Sequence, residues 1–343
     1  MSPAPRPAAF AIPGDIETLT GGYIYERRLL EGLRAAGRDV AHIRLAASFP
    51  DPSSADMADA IAQLAALDPA RPLILDGLVF GAIDTAGLAQ VRAPIVAMIH
   101  HPLALETGLT PARRTHLYNT ERDNLARAAH ILVPSPHTRA TLVERYGVTP
   151  DRITIARPGI DRPTDPQAPI TPPLILSVGI QHPRKGHDTL LAALARLTDL
   201  DWQAVIAGSP HDPACAEALV RQHEALGLGP RVRRAGRVPD AELDALYRAA
   251  RYEGYGIVFD EALAHGLPIV SCRTGAVPDT VPPETGLLVP PDDPEAFAAA
   301  LRSLLSDPAE HDRRATAART AGAALPGWPE TAGIAGTVLD ALP

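Results

Sequence analysis

Several things are scarce in this chain, and each shortage closes off a class of protein. There are two cysteines, Cys215 and Cys272, far apart and without metal-ligand spacing. That count leaves no disulfide framework and no cysteine-built zinc site, and it points to reduced thiols in a cytosolic protein. Basic charge is not in excess: the net charge is −8, so no overall field draws the chain to nucleic acid or an anionic membrane. No apolar run approaches the roughly 20 residues of a membrane span. The opening MSPAPRPAAFAIPG lacks an apolar core of signal-peptide length. A G-x-G-x-x-G fingerprint is missing too, which gives a dehydrogenase little support. Low-complexity segments are absent, and the only repetition is a rough doubling of the architecture.

What is present suits a soluble globular protein with ample core: 343 residues, 46% hydrophobic and 21% charged, enough for two domains. In the first half, apolar β-type runs fall at Ala8–Ile12, Val40–Leu45, Leu73–Val79, Pro94–Ile99, His130–Pro134 and Ile153–Ala156. Helical patterns separate them at Tyr23–Ala36, Ala55–Ala66, Ala112–Ala129 and Thr138–Tyr146. Continuous apolar strands alternating with helices predict an α/β fold with a parallel sheet covered on both faces. The proline-rich stretch 161–173 reads as a semi-stiff connector. The pattern then restarts, with strands at Leu174–Val178, Gln203–Ala207, Val232–Ala235, Pro268–Cys272 and Gly286–Val289. Helices are expected at Asp188–Leu197, Pro213–Leu226, Asp240–Ala250, Pro294–Leu305 and Leu325–Leu342. This gives domains at 1–160 and 174–324, with 161–173 as linker.

Ligands of such sheets bind beyond the carboxyl ends of the strands, so the loops there carry the candidates. Gly21 and Gly22 open a helix after the first strand, as a phosphate or sugar contact or as a plain turn. His100 and His101 directly follow a strand, where a histidine can bond a ligand or simply cap the strand end. Ser135 reads mainly as a helix start signal. Gly179 and Gly186 bracket Arg184 and Lys185, and an arginine fork beside a lysine point charge suits a diphosphate.

The densest stretch is Arg251–Ser271. Glu253 is expected in a loop with Gly254 and Gly256, whose lack of side chains permits close backbone approach. A short helix is expected to begin near Ile257 and Val258, with Glu261 inside it. Its N–H groups and dipole make a seat for an anion. Two carboxylates beside such a seat suggest a ligand with hydroxyls and phosphates, such as a sugar nucleotide. The plainer alternative is a glycine turn with a glutamate at a helix start.

Taken together, ILVPSPHTRATLVERYGVTPDRITIARPGID (131–161), SVGIQHPRKGHDTLLAAL (177–194), YEGYGIVFDEALAHGLPIVSCRTGAVPDTV (252–281), GLLVPPDDPEA (286–296) and the glycine pair at 21–22 make a specific set. The chain resembles a retaining glycosyltransferase of the family-4 type, with the GT-B fold of two Rossmann-like domains facing a cleft. The resemblance spans nearly the whole chain. It implies a nucleotide-sugar donor held mainly by the second domain. Arg184 and Lys185 would neutralise the diphosphate, with amides around Ile257 and Val258. Glu261 would bind the ribose, Glu253 would hold the transferred sugar near its anomeric carbon, and His100 would reach a sugar hydroxyl. No metal or cofactor is implied, because fixed cations and a helix dipole stabilise the leaving diphosphate. The last helix, within 325–343, would cross back onto the first domain.

The chain departs from the family's pattern twice. Ile180 stands where an arginine usually follows Val-Gly. Between Ala250 and Arg251 the usual apolar strand has no counterpart, so the second sheet is expected to lack a strand near its centre, with part of 240–250 drawn out as a connector or the domain poorly folded. A relative that only binds a sugar nucleotide, and a sugar-nucleotide epimerase on the same plan, therefore stand beside the transferase. The segments IYERRLLEGLR and HHPLALETGL suggest a bacterial relative working on a glycan or glycolipid of the cell envelope. The expected setting is cytoplasmic, peripheral on the inner membrane face, with no nucleic-acid partner.

Overall fold

A strand buried on both faces reads as an unbroken apolar run, and each half of the chain contains such runs. The computed structural model describes residues 5–106, 108–162, 170–253 and 259–342, the side chains of Arg184 and of residues 251–253 excepted. The chain divides into two compact units, Met1–Gly159 with Pro326–Pro343, and Ile160–Leu325. Among the described residues no helix is long and apolar enough to cross a membrane.

In the first unit, β1 (Ala8–Pro13), β2 (Val40–Leu45), β3 (Leu73–Asp76), β4 (Ile95–Met98), β5 (His130–Val133) and β6 (Ile153–Ile155) form one parallel sheet. Its order is β2-β1-β3-β4-β5-β6. The connections are α1 (Gly21–Ala35), α2 (Ser54–Ala65), the single turns α3 (Gly77–Phe80) and α4 (Thr85–Leu88), α5 (Pro111–Leu125) and α6 (Pro136–Tyr146). Alternation along β1 sends Ala8, Phe10 and Ile12 to one face, packed with Leu29 and Leu33 of α1. Ala9 and Ala11 go to the other face, with Leu64, Leu73 and Val79. Each such large apolar side chain, once fully buried, stabilises the unit by roughly 1.5–3 kcal/mol. The C-terminal helix, Trp328–Ala341, lies on α1, where a Cβ on Gly32 would stand 2.8 Å from the Ala332 Cβ. Arg38 ties down its end through paired bonds to Asp340 at 2.8 and 2.9 Å.

The apolar run expected as one strand from Leu73 to Val79 stops early. Asp76 accepts from the amides of Leu78 and Val79 and so caps α3, turning the chain out of the sheet.

The second unit holds β7 (Leu174–Val178), β8 (Gln203–Ala207), β9 (Val232–Gly236), β10 (Ala250–Glu253), β11 (Ile269–Cys272) and β12 (Gly286–Val289). All run parallel in the order β12-β11-β10-β7-β8-β9. Its helices are α7 (His187–Leu194), α8 (Pro213–Ala225), α9 (Asp240–Ala249), α10 (Phe259–Ala264), α11 (Val277–Thr280), α12 (Pro294–Ser306) and α13 (Pro308–Ala323). Numbered within the unit, this is the doubly wound order 3-2-1-4-5-6, whose switch point falls between β7 and β10.

The central strand expected to be missing is therefore present. Residues 250–253 take its place between β7 and β11, with Tyr252 opposite Ile175 and Glu253 opposite Leu176 and Ile269. A register shift between Ala250 and Tyr252 absorbs the abrupt passage from helix to sheet. Helix α9 keeps its full length to Ala249, so the connector expected from 240–250 does not form. The strand is short and polar in sequence because it takes Arg251, Tyr252 and Glu253 from the stretch expected to be a loop. The periodic reading also passed over α13, which carries little apolar patterning and yet contacts α10 and α12.

Candidate functional site

Each unit gathers polar groups at the carboxyl ends of its strands. In the second unit, Gly179 follows β7 and its amide donates to Ala207 at 2.9 Å. The aliphatic stem of Lys185 runs beside it: a Cβ on Gly179 would lie 3.5 Å from the Lys185 Cδ. Lys185 is 5% exposed, held in the turn Pro183–Lys185, where Arg184 also sits by its backbone. Gly208, with φ at +157°, passes so close that any Cβ there would collide with the Gly179 carbonyl. Its carbonyl accepts from the Gln181 amide at 3.1 Å. The buried His187 ring faces the Gly179 carbonyl at 3.2 Å. Burial holds this imidazole below its usual pKa, against the backbone carbonyls of Gly179 and Ile180. The loop around Gly179 is thus fixed from three sides.

Glu261 stands in α10, and the hydroxyl of Tyr247 in α9 donates to its Oε2 at 2.9 Å. Although the residue as a whole keeps exposed surface, burial of its carboxyl lifts the pKa, Tyr247 opposes the rise, and Asp161, Asp260 and Asp240 add to it. Tyr247 in turn stacks on His265, centroids 5.1 Å apart. Burial lowers the His265 pKa to about 4, so the stack is a neutral one near pH 7. Glu253 ends β10 rather than lying in a loop, and its side chain, like that of Arg184, is outside the described part. Gly254, Gly256, Ile257 and Val258 lie outside the described residues altogether.

In the first unit the switch point falls between β1 and β3, and His100, just beyond β4, belongs to that edge. Gly21 and Gly22 begin α1 without a side-chain cap from Thr20. A Cβ on Gly22 would lie 3.6 Å from the His100 ring. Tyr25 meets His100 edge-on at 5.0 Å and fixes its own hydroxyl on the Ala156 carbonyl at 2.8 Å. Ser135 caps α6 through the Thr138 amide, and the Thr138 hydroxyl donates to the His100 carbonyl at 3.3 Å.

Below His100 lie two carboxyls that the sequence reading did not select. Glu26 and Asp76 are 1% and 4% exposed and share a hydrogen bond, and one donor atom from each of Glu26, Asp76 and His100 falls within 4.8 Å of the others. His100 Nε2 and Glu26 Oε1 face each other at 3.6 Å. Burial pushes the Glu26 pKa up to about 7 and Asp76 well above the carboxylate range, the second helped by the charge of Glu26. Burial also lowers His100, and Asp76 works against that. A signal existed for both carboxyls. Glu26 occupies the buried stripe of Leu29, Leu30 and Leu33, and Asp76 closes an otherwise apolar strand at its ligand-facing end.

The family model described as "Glycosyltransferase Family 4" matches residues 78–162, and "Glycosyl transferases group 1" matches 162–321. A D-inositol 3-phosphate glycosyltransferase of Corynebacterium glutamicum is 35% identical over 193 residues, 48% of this chain and 46% of that protein. An MMP alpha-(1->4)-mannosyltransferase of Mycolicibacterium hassiacum is 28% identical over 272 residues, 71% of this chain and 64% of that one. The chain thus spans about half to two thirds of these relatives' lengths. Among solved structures, sucrose-phosphate synthase from Thermosynechococcus elongatus superposes with a TM-score of 0.82 at 24% identity, covering 97% of this chain and 98% of that one. Anabaena HepE in complex with UDP-glucose gives 0.77 at 16% identity, with 96% and 99% covered. These two likenesses concern the fold.

Proposed function

Since this chain belongs to the family-4 glycosyltransferases of the GT-B type, we propose that it moves a hexose-type sugar from a nucleotide diphosphate to a glycan or glycolipid acceptor, with retention at the anomeric carbon. One observation carries the reading: Gly179 with the stem of Lys185, and the backbone of Glu253, stand at the carboxyl ends of β7 and β10, the two strands that flank the switch point. In this reading Lys185 and Arg184 neutralise the diphosphate, and backbone amides around Ile257 and Val258 assist. Glu261 takes the ribose hydroxyls, Glu253 the transferred sugar, and His100 a sugar hydroxyl. Gly21, Gly22, Gly254 and Gly256 allow close backbone approach. The leaving phosphate takes the acceptor's proton on the face it departs from. Fixed cations do this work without a bound metal. The working site is cytoplasmic, on the inner membrane face when the acceptor is a lipid.

The test is a thermal-shift screen against UDP, GDP and ADP and their sugars, followed by donor hydrolysis and transfer assays. A ligand selective for the folded state raises the melting temperature by mass action. A folded protein indifferent to every nucleotide sugar ends the proposal. Binding to anionic liposomes is the parallel test of a lipid acceptor. One feature favours a second reading, in which the donor binds without turnover: Ile180 stands where the family pattern has an arginine. Calorimetric binding with no released sugar distinguishes the two.

A further inference from the structure

Two buried atoms in the first unit face each other, and among the described residues neither has a hydrogen-bond partner: Glu26 Oε1 and His100 Nε2, 3.6 Å apart. Both have lone pairs in their unprotonated forms, so a stable contact between them needs a hydrogen in the gap. Either the ring carries it on Nε2 and the carboxylate accepts, or the carboxylic acid donates and the ring is protonated at Nδ1 instead. The choice fixes what Nδ1, on the opposite side of the ring, offers a ligand: an acceptor in the first case, a donor in the second.

We propose that Glu26 is a positioning residue that holds His100 as the Nε2–H tautomer, so that Nδ1 accepts a hydrogen bond from a substrate hydroxyl. The geometry around Asp76 supports this. Asp76 lies against Glu26 and shares its hydrogen bond, so one proton serves two carboxyls and one negative charge remains. Asp76 is already engaged by the Leu78 and Val79 amides, while the inward oxygen of Glu26 points at the ring. The other groups facing the cluster are the hydroxyl of Tyr23, held protonated by burial and by Asp76, the edge of Tyr25, and more distantly Asp15. Among the described residues no arginine or lysine contributes to the shifts of Glu26, Asp76 or His100.

The sense of the pH dependence follows. Above about pH 7 Glu26 is ionised and the acceptor face is set. Below it the cluster takes up a further proton. Whether that proton settles on Glu26, which then donates to Nε2, or on the ring itself, Nδ1 becomes N–H and loses its lone pair.

The inference rests on the transferase reading for its consequence but not for its geometry, and the experiment separates them. Nitrogen-15 NMR of the full chain, with His100 assigned through His100→Asn, reads the tautomer directly at pH 8 and pH 5.5, with no substrate present. An Nε2–H tautomer at pH 8 that is lost at pH 5.5 is the expected result. Glu26→Gln, whose amide can both donate and accept, should mix the tautomers and move the acid limb of kcat/KM. It should lower kcat about tenfold with KM little changed. An Nδ1–H tautomer in the unaltered protein at pH 8 overturns the proposal. So does a tautomer indifferent to Glu26→Gln, and so does a stoichiometric divalent cation whose removal by chelator resets the ring. Absence of donor binding in the thermal screen would instead sink the transferase reading and leave the tautomer result standing.

Discussion

The phenol of Tyr247 donates to the Glu261 carboxylate at 2.9 Å, joining the last turn of α9 to α10 across the intervening strand β10. In the proposed role, where Glu261 accepts from ribose hydroxyls, the carboxylate is thereby held in place by one donor of the protein's own. Removing that donor, as in Tyr247→Phe, should weaken nucleotide diphosphate binding by about 1 kcal/mol, roughly fivefold. Calorimetry at pH 8 reads it. The loss should widen as the pH falls, because Glu261 already titrates above its ordinary range and Tyr247 is what restrains the rise. Equal affinities in both proteins at every pH would show that the phenol is only packing.

A second carboxylate makes the fold itself sensitive to pH. Glu121 in α5 is fully buried, accepts from the Leu103 amide at 3.3 Å, and has its pKa raised to about 7 by burial. The folded state therefore holds this proton more tightly than the unfolded state. Its contribution is complete below about pH 4.5 and is lost as the pH rises through about 7. By the size of the shift, roughly 3 kcal/mol is at stake. Glu121→Gln keeps the acceptor and removes the charge, so it should raise the melting temperature at pH 8 and leave it nearly unchanged at pH 5.

The C-terminal helix is fastened by Arg38, which is 6% exposed and bonds Asp340 through two nitrogens and the Gly336 carbonyl at 3.1 Å. Asp340→Ala leaves a nearly buried guanidinium with one fewer anion and should cost about 1–2 kcal/mol, given that the aspartate is half exposed. Hydrogen exchange should rise first in residues 328–341. Arg38 holds the Asp340 carboxyl below its usual range, so the clamp is at full strength above the ordinary aspartate pKa and weakens as the pH falls below it.

Gly208 offers a sharper test of the loop after β7. Its φ of +157° is open to few other residues, and a Cβ there would overlap the Gly179 carbonyl. Gly208→Ala should lower the stability of the second unit by at least about 2 kcal/mol. It should also weaken donor binding beyond what the stability loss explains, since Gly179 must move. Gly229→Ala, with nothing within 4 Å of the new Cβ among the described residues, is the control expected to be silent.

Much of this architecture was legible because fully buried parallel strands leave a continuous apolar trace. Ala8–Ile12, Leu174–Val178 and Gln203–Ala207 could hardly be anything else. What escaped notice did so for physical reasons. Asp76 ended its strand by capping a turn, an event set by one side chain and not by periodicity. The α13 helix is nearly even in polarity around its circumference, so no stripe announced it. Glu26 sits among leucines on the buried side of α1, where an apolar stripe draws no attention to a single carboxyl. Strand β10 was invisible because Arg251, Tyr252 and Glu253 carry no apolar alternation, and its place is secured by the ladders of β7 and β11 on either side. His100 stands at a strand end where the sequence shows it, whereas Glu26 and Asp76, which set its surroundings, lie one layer deeper.

The position of Glu253 has a consequence for how the second unit can evolve or be engineered. Its backbone is a rung between Leu176 and Ile269, so residue 253 answers at once to the hydrogen-bonding grid of the sheet and to whatever its carboxylate serves. Most enzymes of layered α/β build keep those obligations on separate residues, with chemistry delegated to loops that vary freely. Here residues inserted between Ala249 and Arg251 would release residue 253 from its rung, while deleting one residue from the end of α9 would reverse the face on which each position of the strand emerges.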